Sequence, residues 1–72
     1  MDPSEIARLQ QYFRSTFGMM TLSVRPRPNK RDSAEVYIGD EFLGVIFRDD
    51  EDGEVSYDFN MAILDIDLPR SL

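Results

Sequence analysis

Between Ser33 and Met61 the chain spells three runs of strand-forming residues divided by two turns, and no other stretch limits the fold as strongly. The first turn, Gly39-Asp40, is a two-residue hairpin connection of the Gly-first type. The second is the acidic run Asp49-Asp50-Glu51-Asp52-Gly53. Two successive hairpins make an antiparallel meander. Because side chains alternate between faces, its register decides which residues share a surface.

Counting outward from Gly39-Asp40 pairs Ile38 with Glu41, Tyr37 with Phe42, Val36 with Leu43 and Ala34 with Val45. Pairing Arg48 with Glu54 across the second turn then sets Phe47 against Val55, Val45 against Tyr57 and Leu43 against Phe59. One face collects Ala34, Val36, Ile38, Leu43, Val45, Phe47, Val55, Tyr57, Phe59 and Met61, a nearly continuous apolar layer. The other carries Glu35, Arg48, Ser56, Asp58 and Asn60, and also Tyr37, Phe42 and Ile46. An apolar patch with a polar rim has the make-up of an interaction surface, so Tyr37, Phe42 and Ile46 are the expected protein-interface residues. The alternative is that the C-terminal Leu64, Ile66 and Leu68, or the proline loop, fold back over them.

The apolar layer needs a cover, and the N-terminal segment supplies one. Asp2-Pro3-Ser4-Glu5 combines an N-cap acid, a proline at the first helical position and a capping-box glutamate. Ile6, Leu9, Phe13 and Phe17 follow at helical spacing with Tyr12 beside them, and Gly18 supplies a left-handed stop. A first strand of alternating Met20, Leu22 and Val24 ends at Arg25, before the loop from Pro26 to Asp32. The expected architecture is α+β: a helix over about 3–17 packed on one face of a three- to four-stranded antiparallel sheet, with strands near 20–25, 33–38, 41–48 and 54–64. All 72 residues belong to one domain. Residues 65–68 read either as further strand or as a short helical turn before Pro69.

Charge is unevenly spread. Residues 1–31 hold six bases and two acids (+4), and residues 32–72 hold two bases and twelve acids (−10), for a net charge of −6. An acidic chain repels nucleic acid unless a basic patch stands clear, and Arg25, Arg27, Lys30 and Arg31 form the one candidate. They define the alternative reading, nucleic-acid binding through the 25–31 loop.

Catalytic and metal chemistry find little to work with. The chain has no His and no Cys, which removes the commonest acid–base group and the thiolate nucleophile or ligand. No serine has a histidine to activate it. Laid on a calcium-binding EF-hand loop, the acidic turn puts Arg48 at the first ligand position and Phe59 at the last, so it reads as a solvated turn. The expectation is a non-enzymatic interaction module without cofactor, metal or small-molecule substrate, whose partner is another protein or a second copy of itself. The absence of cysteine, of a long apolar run and of a basic-then-apolar leader points to the cytoplasm.

The string from Asp32 to Phe42, with Gly44-Val45, Phe47 to Gly53 and Ile63 to Leu68, resembles a family of small alphaproteobacterial proteins classed as a domain of unknown function. The likeness spans about Leu9 to Leu68 and is most specific from Ala34 to Arg48. It implies a bacterial, stand-alone cytoplasmic protein and brings no activity, cofactor or catalytic residue with it.

Overall fold

A computed structural model describes residues 1–72. Helix α1 spans Pro3–Phe17, and its start is built as its residues dictate. The Asp2 carboxylate accepts from the Glu5 N–H at 2.7 Å, and Glu5 returns the bond from the Asp2 N–H at 3.3 Å. The helix ends at Gly18, whose φ of 62° lets its N–H turn back to the Arg14 carbonyl.

Four strands follow, β1 (Leu22–Arg27), β2 (Lys30–Ile38), β3 (Glu41–Asp49) and β4 (Ser56–Asn60), paired antiparallel in the order β1-β2-β3-β4. The fold is therefore α+β, one N-terminal helix on a four-stranded antiparallel meander. Leu9 and Phe13 press onto Leu22, Val24, Ala34, Val36 and Ile46 to form the core. Phe13 meets the ring of Phe59 edge-on at 5.4 Å, which carries the packing across to β4.

Several boundaries differ from the sequence expectation for identifiable reasons. The expected loop from Pro26 to Asp32 is a tight hairpin instead, Arg27 pairing with Lys30 around Pro28-Asn29. Pro28 suits the first turn position, and Asn29 takes the positive φ (63°) that the second requires. Pro26 is tolerated in β1 because it shares the parity of Val24, whose N–H points away from β2.

The largest correction is one residue wide. Tyr37 pairs with Phe42 and Ile38 with Glu41 as the turn requires, but Val36 then pairs with Gly44 and Ala34 with Ile46. A bulge at Leu43 takes up the extra residue. Beyond it the faces of β3 exchange. Ile46, expected on the bare face, lies in the core at 0% exposure, while Phe47 turns outward and Arg48 turns beneath the helix. The β3–β4 register moves too, with Arg48 opposite Tyr57 and Phe47 opposite Asp58.

β4 ends at Asn60, short of the expected Leu64. Asp65–Asp67 forms a single 3-10 turn, closed locally by the Leu64 N–H on the Asp67 carboxylate. Every residue from Met61 to Leu72 is exposed, so Leu64, Ile66 and Leu68 do not fold back over the sheet. A 15-residue helix spans about 22 Å and a nine-residue strand about 30 Å. The 44 Å long axis exceeds both, consistent with a C-terminal segment trailing off the sheet. No helix is long and apolar enough to cross a membrane.

Candidate functional site

The face of the sheet opposite the helix divides into a polar and an apolar half. Toward β1 the Arg25 guanidinium lies 3.9 Å above the ring of Tyr37 and donates to the Gly39 carbonyl and the Ser23 hydroxyl. Tyr37 donates to Glu35, and this bond raises its pKa by stabilising the neutral phenol. Arg27 donates to Ser33 and stands 3.8 Å from Glu35. Toward β3 the surface is apolar: Phe42 meets Tyr37 edge-on at 5.7 Å, and Phe42 and Phe47 are 51% and 43% exposed with Val45 between them. Of the expected trio, Tyr37 and Phe42 stand together and Ile46 is absent. Phe47, which sequence reasoning missed, takes its place because the bulge reverses its direction.

The four cations of the basic alternative are not equivalent. Arg25 and Arg27 spend their donors on the sheet's own groups, as described. Lys30 and Arg31 are exposed at the hairpin and join Arg27 and Met1 around a shallow cleft of about 500 Å³. The Met1 ammonium donates to the Arg31 carbonyl. In the acidic turn, Asp49 accepts from the Glu51 N–H and Asp50 from Arg48, so one of its carboxylates is held within the turn and another by β3.

A cluster unforeseen from the sequence joins the helix start to β3 and β4. Glu5 Oε2 accepts from the Tyr57 hydroxyl at 2.5 Å and lies 2.7 Å from Arg48 Nε, an ion contact whose angle is too bent for a hydrogen bond. Arg48 also reaches Asp50 at 2.9 Å. The Tyr57 bond holds the Glu5 carboxyl below its ordinary range despite partial desolvation, with Asp2 and Arg48 adding to the effect. That same bond pushes the Tyr57 phenol up. Burial works against the charge on Arg48, but Glu5, Tyr57 and Asp50 outweigh it and hold the guanidinium cationic. Each group is thus fixed in its usual protonation state, the reverse of the shift that readies a carboxylate or phenol for proton transfer. The cluster works as a tie between helix and sheet. Glu5 was legible only as a capping residue, since its second role depends on the reversed direction of Arg48.

The two edges of the sheet are treated differently. Along β1, Gln10 accepts from the Val24 N–H at 3.1 Å, Arg14 donates to the Leu22 carbonyl at 2.7 Å, and Pro26 has no N–H to offer. Helix side chains and a proline thus close that edge. β4 pairs only with β3. Its other side is open, flanked by exposed Val55, Met61 and Ile63. Beside its C-terminal end opens an entirely apolar groove of about 420 Å³, including Phe17, Met19, Leu43, Phe59 and Met61.

No curated protein and no solved structure matches the chain. One family model, described as a protein of unknown function (DUF3126), matches residues 5–67, from the glutamate that ties the helix to the sheet through the 3-10 turn. With that match covering most of its length, the chain belongs to the DUF3126 family of proteins of unknown function.

Proposed function

We propose that this chain is a small non-enzymatic protein-interaction module that works through the sheet surface its helix leaves bare. One observation carries the reading: Phe42 and Phe47 stand exposed on the same uncovered face, and the C-terminal segment is itself exposed rather than folded over them. Aromatic side chains set in a polar rim are the usual anchors of protein contacts. The Arg25–Tyr37–Glu35–Arg27 lattice beside them supplies the rim, holding its polar groups in place before a partner arrives. The cysteine-free composition suits a reducing compartment, and we place the module in the cytoplasm.

The test compares the wild-type chain with Phe42→Ser/Phe47→Ser, each used to purify partners from native cells and each weighed by sedimentation. Neither side chain belongs to the core, so the variant should fold. It should lose specific proteins, or mass above one chain, that the wild type retains. Identical retained proteins and identical mass would end the reading. The nucleic-acid alternative now rests chiefly on Lys30 and Arg31. A titration at low salt decides it, since phosphate contacts made there should weaken in Lys30→Glu/Arg31→Glu and as salt rises.

A further inference from the structure

We infer that the open edge of β4 pairs antiparallel with β4 of a second copy about a twofold axis at Phe59, giving an eight-stranded sheet with both helices on one face. The inference rests on reading the chain as an interaction module and names one of its partners.

The two edges of the sheet differ in how they are closed. An exposed strand edge is a template for another strand, and proteins that avoid such pairing block it. On β1 the Val24 N–H and the Leu22 carbonyl are taken by Gln10 and Arg14, and Pro26 offers no N–H. No helix side chain closes β4 in the same way. With one edge closed, head-to-tail growth of β4 onto β1 is prevented. Pairing of β4 with β4 closes at two copies.

The sequence around β4 is itself symmetric. Val55, Tyr57, Phe59, Met61 and Ile63 alternate with polar or small residues and are centred on Phe59. In the single chain only Ser56–Asn60 is strand, and Met61 to Ile63 make no hydrogen bond with the rest of the chain. A twofold at Phe59 sets Tyr57 opposite Met61 of the second copy and Val55 opposite Ile63. Exposed Val55, Met61 and Ile63 thereby gain apolar neighbours on the helix side.

Charge then selects among the neighbouring registers. Centring on Asp58 puts two like charges directly opposite, which is unfavourable. Centring on Asn60 brings Asp65 against Val55 in the apolar row. Centring on Phe59 pairs Asp58 with Asn60 and Ser56 with Ala62 and sets no like charges against each other.

Sedimentation over a hundredfold concentration range, reaching high micromolar, should show a monomer–dimer equilibrium. Ala62→Pro and Ile63→Pro alter residues outside any strand, so at concentrations where the wild type is monomeric both variants should melt like it. Successive N–H groups point to opposite sides of a strand, so one of the two prolines must remove a bond to the second copy. That variant should weaken the dimer at least tenfold. Facing residues in an antiparallel pair lie about 5 Å apart between Cα atoms, within disulfide reach. Since the chain has no cysteine of its own, Ser56→Cys/Ala62→Cys should give a covalent dimer on oxidation. Ser56→Cys alone should not, because the two copies of residue 56 would be about 20 Å apart. A strict monomer throughout overturns the inference. So does a dimer that resists both prolines and fails to cross-link. If such a dimer is instead lost in Phe42→Ser/Phe47→Ser, self-association uses the bare face and the module reading stands without β4 pairing.

Discussion

Replacing Gly44 by alanine tests the register of the whole sheet with a single methyl group. A Cβ built on Gly44 would lie 2.3 Å from the Asn60 carbonyl oxygen, 2.8 Å from Phe59 Cε1 and 3.2 Å from the Asn60 carbonyl carbon. The Phe59 ring is a side chain and can turn. The carbonyl belongs to the backbone of β4, so relief requires moving the end of that strand away from β3. Overpacking of this kind typically costs about 1–3 kcal/mol, and a backbone clash places Gly44→Ala in the upper part of that range, about 2–3 kcal/mol. A 72-residue domain has roughly 4–11 kcal/mol of total stability, so the loss is a large share of it. At about 4–8 °C per kcal/mol for a domain of this size, the melting temperature should fall by roughly 10–20 °C. Thermal melting followed by far-UV circular dichroism, with urea titration for the free energy, measures both. Gly39→Ala is the control, for there the new Cβ meets nothing within 4 Å and only the positive φ of 59° is strained, at about 1–2 kcal/mol. Adding Phe59→Leu to Gly44→Ala should not restore stability, because the closest contact is with backbone. The expected register would instead put Leu43, Val45 and Phe47 inward and leave Gly44 on the solvent face, where alanine is neutral or mildly stabilising. A change of less than about 0.5 kcal/mol in Gly44→Ala would therefore refute the bulge and the observed placing of β3.

Glu5→Gln should destabilise the fold at neutral pH, with a loss that shrinks in acid. A carboxyl whose folded pKa is lowered adds stability above its unfolded pKa and loses it as pH falls through the folded value, so melting temperatures of wild type and variant should converge as the pH drops below the ordinary glutamate range. A gap independent of pH would mean that the Glu5 charge does not tie helix to sheet. At the first hairpin, Asn29→Ala should cost about 1 kcal/mol through its positive φ while Asn29→Gly should not. Equal melting of the two variants would refute the tight Pro28-Asn29 turn.

Local chemistry made a good part of this fold legible. The helix from Pro3 to Phe17 could be read because its cap, stripe and stop lie within a few residues of one another. Gly39-Asp40 likewise determined the two pairs nearest the turn. Past those pairs the sequence was ambiguous, because Val45, Ile46 and Phe47 are consecutive apolar residues and alternation can bury either parity. Counting large side chains favours Leu43, Val45 and Phe47. The fold chose Gly44, Ile46 and Arg48. Only tertiary packing distinguishes them: β4 comes too close to β3 at Asn60 for any side chain at position 44, and the Glu5 carboxylate lies across the sheet where Arg48 can meet it. That one-residue bulge moved Ile46 into the core, brought Phe47 to the bare face beside Phe42, and assembled a cluster from residues 5, 48 and 57 that no local pattern links. The sequence by itself determined the elements and the acidic–basic division along the chain. Which side chains are left facing outward was decided only by three-dimensional packing, because in a sheet a shift of one residue exchanges the two faces.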